Sequence, residues 1–229
     1  MPSSSLLIPA MGCRLAADLQ QPAEPRGLVL FVHGSGSNRF SPRNRTVAAQ
    51  LRQAGLTTLL LDLHNTAEAR PEQEDPAPDP SLQRSTERLL AVLAWLAAAP
   101  TLQALLPLGL YGSSSGAAVA LLAAAARPEA VAAVVSRGGR PDLATPALER
   151  VGAPTLLIVG GADPVVLSLN RQAALQLSCR HQLVQVPGAG HLFEQPGSLA
   201  IVARLARDWF LRFLPSAAAA ESLRRRSPA

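Results

Sequence analysis

An α/β fold, a mostly parallel sheet with helices on both faces, is the class this sequence predicts. Three observations carry the prediction. Continuous apolar runs of strand length recur from Gly27 to Val186, stretches of helical character alternate with them, and glycine-rich turns follow several runs at their carboxyl ends. A length of 229 residues fits one domain, and 48% hydrophobic with 16% charged residues excludes a disordered chain.

Taken in order, Leu6–Ile8 and Arg14–Leu19 pattern as an antiparallel hairpin turning at Met11-Gly12, with Pro22, Pro25 and Gly27 in the exit loop. Gly27–Val32 is an unbroken apolar run, as a strand buried on both faces requires. It ends in His33-Gly34-Ser35-Gly36-Ser37, at the strand end where open α/β sheets bind ligands. A helix over about Arg43–Ala54 is closed by Gly55 and followed by a strand at Thr57–Asp62. Leu63 to Pro80 is acidic and carries Pro71, Pro76, Pro78 and Pro80, which predicts a surface loop, with a lid as the alternative. A long helix runs from Ser81 to about Ala98.

Leu108–Tyr111 reads as a buried strand that turns through Gly112-Ser113-Ser114-Ser115-Gly116 into an alanine-rich helix over Ser115–Ala126. Ala130–Val135 is the next strand, and Ser136–Pro146 a polar loop. The strand Thr155–Val159 ends in Gly160-Gly161-Ala162-Asp163-Pro164, ahead of a helix near Leu167–Leu177. The last strand, His181–Val186, leads through Pro187-Gly188-Ala189-Gly190-His191 to an amphipathic helix over about Ser198–Phe213. A domain at 1–214 and a disordered Ala/Arg-rich tail at 215–229 are therefore expected.

All 21 cationic residues are arginine, and Arg224, Arg225 and Arg226 with Glu221 account for +2 of the +5 net charge. The other arginines are scattered, with no basic, aromatic-rich segment, so nucleic acid is not an expected partner. Cys13 and Cys179 suggest neither a disulfide framework nor a metal-ligand spacing. Met1–Met11 lacks the basic and apolar regions of a secretory signal, and the apolar stretch Ala117–Val135 is broken by Arg127-Pro128-Glu129. The expectation is a cytoplasmic protein with no membrane association, no metal and no cofactor.

Gly-x-Ser-x-Gly between strand and helix is the nucleophile-elbow pattern, with Ser114 on a sharp turn above the sheet edge. A serine-rich helix cap would read the same way in isolation. Two further polar residues follow apolar strands downstream, Asp163 and His191, at spacings of 49 and 28 residues. A parallel sheet brings all three to one edge in the order nucleophile, acid, histidine. Ser114 would attack, His191 would carry its proton, and Asp163 would orient the imidazole. Asp142 is the alternative acid, and the Ser115 amide follows the nucleophile as an oxyanion donor.

On His33-Gly34-Ser35-Gly36, Gly112-x-Ser114-x-Gly116, Gly160-Gly161-Ala162-Asp163-Pro164 and Gly190-His191, the chain resembles the α/β-hydrolase superfamily over residues 28–192. Within it the sequence looks like the compact dienelactone-hydrolase-like branch, which has no separate cap domain. It departs from dienelactone hydrolases proper, which use a cysteine where Ser114 stands. The resemblance implies a second oxyanion amide at Ser35, and hydrolysis of small esters or lactones through an acyl-enzyme. Thioester hydrolysis and acyl transfer to peroxide share that intermediate, and a non-catalytic binding protein on the same fold is the third reading. His33 is expected to brace the oxyanion loop, and His181 to lie at a strand edge without a role. His64 is a candidate rim residue beside the mouth. Arg39, Arg43, Arg45, Arg137 and Arg140 flank the mouth loops, either as a rim for acidic substrates or as ordinary surface cations.

Overall fold

Strands β1 (Ser3–Ala10), β2 (Cys13–Gln20), β3 (Leu28–Val32), β4 (Thr57–Leu61), β5 (Leu108–Ser113), β6 (Ala133–Arg137), β7 (Thr155–Gly160) and β8 (His181–Val186) form one sheet. The structure, a computed structural model, describes residues 3–64, 80–99 and 107–214. The order across the sheet is β1-β2-β4-β3-β5-β6-β7-β8. Pairing is antiparallel from β1 to β2 and from β2 to β4, and parallel across the rest.

Alternation within the apolar runs builds the two layers. Leu28, Leu30 and Val32 face a core completed by α2 (Pro80–Ala98) and α3 (Ser115–Ala126). Val29 and Phe31 face the opposite core, completed by α1 (Pro42–Gln53) and α5 (Ser198–Phe213). All five residues of β3 and all five of β4 are buried, which is why these strands carry no polar face. Helix α3 is apolar nearly all round and buried from Gly116 to Val119 and beyond, its alanines letting it lie close on the sheet.

Several element boundaries differ from the sequence reading, each for a local reason. The hairpin strands are longer than predicted and meet in a two-residue turn at Met11 (φ 47°) and Gly12 (φ 76°). Helix α1 starts at Pro42 because Ser41 Oγ caps the Asn44 amide. Strand β6 begins three residues later than predicted and keeps Ser136 and Arg137, which pair with Leu157 and Ile158 of β7. Pro141–Arg150 is 3-10 helical where a polar loop was expected. Helix α4 (Pro164–Ala174) starts earlier than predicted because Asp163 caps it. Of the loop expected at Leu63–Pro80, residues 65–79 lie outside the described residues, as does the tail expected at 215–229, and Pro80 already belongs to α2. Among the described residues no helix is long and apolar enough to cross a membrane.

From β3 the chain moves to β4 on one side and returns to β5 on the other. The carboxyl ends of β3 and β5 are thus the switch point of the sheet, where a crevice opens. His33-Gly34-Ser35 follows β3 and Ser114 follows β5, so both loops meet at that crevice.

Candidate active site

Ser114 stands between β5 and α3 with φ 51° and ψ −130°. A non-glycine residue there costs on the order of 1–3 kcal/mol and persists only where its surroundings enforce it. The enforcement is visible. Ser114 N–H donates to Arg137 O at 3.3 Å, and Ser114 O accepts from Ala117 N and Arg140 N, both at 3.1 Å. Glycine is needed on either side. A Cβ on Gly112 would lie 2.5 Å from Ala117 Cα, and one on Gly116 would lie 2.4 Å from the carbonyl oxygens of Val32 and His33. Ser114 occupies the N-cap position of α3, yet its side chain makes no capping bond. The hydroxyl is therefore not spent on the helix, contrary to the structural alternative.

Asp163 and His191 are brought together by the β7–β8 register. Gly160 pairs with Val186, Gly161 N–H donates to Val186 O at 2.8 Å, and Ala162 N–H donates to Ala189 O at 2.9 Å. His191 Nδ1 then lies 2.9 Å from Asp163 Oδ2. A carboxylate only accepts, so Nδ1 carries the ring proton and Nε2 keeps its lone pair. Asp163 Oδ1 accepts the Val166 amide at 3.2 Å, so one carboxylate both holds the histidine and caps α4. The Asp163 side chain is 14% exposed and that of His191 39%. Asp142, the alternative acid, is instead engaged by both Arg140 Nε and Nη2. That contact raises the Arg140 guanidinium above its ordinary pKa.

His191 sits over Gly138, the residue after Arg137, whose carbonyl holds Ser114 N–H; a Cβ on Gly138 would lie 3.7 Å from His191 Cε1. No hydrogen bond joins Ser114 Oγ to His191 Nε2 in this structure. Contacts of this kind are commonly loose without substrate and close in the reacting complex.

Ser35, expected as the second oxyanion donor, shows an arrangement the sequence did not indicate. Ser35 N–H donates to the side-chain Oγ of Ser115 at 2.9 Å, and the two hydroxyl oxygens are 3.2 Å apart. Ser35 and Ser115, with His33, His64, Ser85 and Leu143, line a narrow cleft of about 20 Å³ against α2 and α3. His64 lies at this cleft, and its Nε2 is 3.2 Å from Ser85 Oγ. Ser85 and Leu143 were missed because only folding puts them beside the loop after β3; neither has a local motif.

His33 braces that loop, as expected. Leu63 N–H donates to His33 Nε2 at 3.1 Å, so Nδ1 carries the proton and donates to Gly34 O at 2.9 Å. Burial lowers the His33 pKa below 6.5, against opposing contributions from the Gly34 carbonyl and Asp62. Below pH 6.5 the unfolded chain therefore binds a proton that the folded chain resists. Stability from this group is present in full above pH 6.5 and is lost as pH falls toward the folded value. The unfolding free energy should drop by up to about 1.4 kcal/mol per pH unit in that window. Thermal melts between pH 7 and 5 check this, with His33→Gln giving the flatter profile.

The arginines expected at the mouth are mostly neutralised within the fold. Arg39 pairs with Asp62 and Asp18, Arg45 with Asp18, Arg43 with Glu194, and Arg140 with Asp142. Arg137, named as a rim residue, is not at the rim. It is 6% exposed, because the odd-numbered positions of β6 face α1 and α5. Its guanidinium lies 5.7 Å from the centre of the Phe193 ring and 3.4 Å from Asn44 Oδ1. His181 is exposed at the edge strand β8, as expected, with Nδ1 2.9 Å from Cys179 O.

Comparison with known proteins places this geometry among relatives. A family model described as an alpha/beta hydrolase domain matches residues 25–200. The structure of a dienelactone hydrolase from Anabaena variabilis is similar at 46% identity and a TM-score of 0.86, covering 93% of this chain and 98% of that one. A lidless serine hydrolase from Xanthomonas campestris shares the fold at 22% identity and a TM-score of 0.74, covering 93% of this chain and 96% of that one. Two curated proteins from strains of Mycobacterium tuberculosis, with a provisional phosphoribosyl transferase name, are 52% identical over 200 residues. That match covers 87% of this chain and 44% of theirs, so the chain spans less than half the length of these relatives.

Proposed function

The chain belongs to the α/β-hydrolase family, with a dienelactone-hydrolase-like fold, and from that premise we propose that it is a serine hydrolase of small carboxylic esters or lactones. The observation that carries the proposal is the 2.9 Å Asp163–His191 bond at the same sheet edge as the strained Ser114 turn. In this reading His191 Nε2 takes the Ser114 proton as Oγ forms its bond to the ester carbonyl carbon. The carbonyl electrons move onto oxygen, to which the Ser115 and Ser35 amides donate hydrogen bonds; one such donor is worth about 3 kcal/mol in a comparable enzyme. Collapse breaks the bond to the leaving oxygen, which receives the proton from His191. Water, deprotonated by the same histidine, then releases the acid and restores Ser114.

Asp163 keeps Nδ1 protonated throughout and favours the imidazolium that forms. The departure of Ser114 from the cysteine of dienelactone hydrolases proper argues against carrying their particular substrate over to this chain. Phosphoribosyl transfer is not carried over, since most of each relative with that name lies outside the matched region. A fluorophosphonate probe tests the proposal directly, by labelling the native chain at Ser114 and not Ser114→Ala. Failure to label a folded protein would sink it. Parallel assays with p-nitrophenyl esters, lactones and acyl-CoA thioesters then separate the substrate classes.

A further inference from the structure

The Ser115 hydroxyl takes the bond that a substrate oxyanion needs. Its Oγ accepts the Ser35 N–H at 2.9 Å. A donor in an oxyanion hole lies about 2.7–3.1 Å from the oxyanion it stabilises. The oxygen of Ser115 thus stands at working distance from this donor before any substrate arrives. One backbone N–H makes one strong bond, so substrate oxygen and Ser115 Oγ compete for it.

The surroundings let the hydroxyl leave. Ser115 and Ser35 are both half-buried and both line the same narrow cleft, whose volume of about 20 Å³ has room for a rotated hydroxyl. The loop itself is held independently of this bond, by His33 on Gly34 O and Leu63 N–H and by Arg39 on Asp62. We propose that Ser115 Oγ is a built-in placeholder for the oxyanion, satisfying the Ser35 amide in the free protein and rotating away as the tetrahedral intermediate forms. This rests on the reading of Ser114 as nucleophile and of the Ser35 amide as an oxyanion donor.

The chemistry gives the placeholder a purpose. A neutral ester carbonyl gains little by replacing a neutral hydroxyl on the same donor. A developing oxyanion forms a charge-assisted bond, roughly twice as strong, and does displace it. The exchange therefore keeps the Ser35 amide satisfied in the free protein and releases it to the developing oxyanion rather than to the ground-state carbonyl.

Ser115→Ala removes the competitor while leaving both amides, and alanine suits the first turn of a helix. Phenylboronic acid, which adds to a serine Oγ as a tetrahedral boronate, is the probe. Its inhibition constant should fall about threefold to tenfold in Ser115→Ala, the range that corresponds to losing one neutral hydrogen bond on displacement. Hydrolysis of p-nitrophenyl acetate should gain a similar factor in kcat/KM. An unchanged or weaker boronate affinity in the folded variant overturns the placeholder, and weaker boronate binding together with a lower kcat/KM assigns Ser115 Oγ as a donor to the oxyanion instead. Undiminished turnover by Ser114→Ala would show that the nucleophile reading beneath it had failed.

Discussion

Ser114→Ala should hydrolyse p-nitrophenyl acetate more slowly than the native chain by a factor on the order of 10⁶ in kcat, and His191→Ala by a comparable factor. A hydroxyl is a poor nucleophile without a base, and an imidazole without the hydroxyl has nothing to activate. The two losses should therefore overlap, and the double variant should be scarcely slower than either single one. Stability separates this from a folding effect. The Ser114 side chain makes no capping bond, so alanine should leave the urea midpoint nearly unchanged. Glycine at the same position should abolish turnover equally but raise the midpoint, because φ 51° is strained only for a residue with a Cβ. Native-level turnover by Ser114→Ala in steady-state assays would remove the assignment.

Substitutions at Asp163 carry the second large effect, because its two oxygens do different work. Asp163→Asn should lower kcat by about 10⁴, the scale seen for the same change in another triad. An asparagine can turn its NH₂ toward Nδ1 and force the ring proton onto Nε2, where it blocks transfer from Ser114. Its oxygen still accepts the Val166 amide, so the α4 cap survives. Asp163→Ala should lose activity comparably and, in addition, about 1 kcal/mol of stability as the cap disappears. Denaturant melts beside kinetics distinguish the pair. Equal stability in both variants would show that Asp163 does not cap the helix in solution.

Much of the candidate site was readable along the chain because the chemistry proposed for it requires particular residues at particular ends of strands. Gly112, Ser114 and Gly116 announce a turn that only small flanking residues permit, and the packing distances at both glycines give the reason. Strands β3 and β4 were equally plain, since burial on both faces leaves no room for polar alternation. Less was readable where a polar residue is buried by a distant element. Ser136 and Arg137 looked like the start of a loop, yet pairing with β7 keeps them in the sheet. Arg137 carries a charge that suggests the surface, while its place on β6 turns it inward against Phe193.

Residue order by itself determined the layered fold and the polar groups that follow β5, β7 and β8, because periodicity and turn chemistry are local properties. It left Asp142 and Asp163 as rival acids, and it assigned Ser115 only an amide. The tertiary structure supplied the contacts that bear on both points. Register between β7 and β8 sets Asp163 against His191 while Arg140 engages Asp142, and the approach of the β3 loop to α3 puts the Ser115 hydroxyl on the Ser35 amide. Contacts between residues 80 positions apart, as Ser35 and Ser115 are, depend on how helices and strands stack, which no single segment encodes.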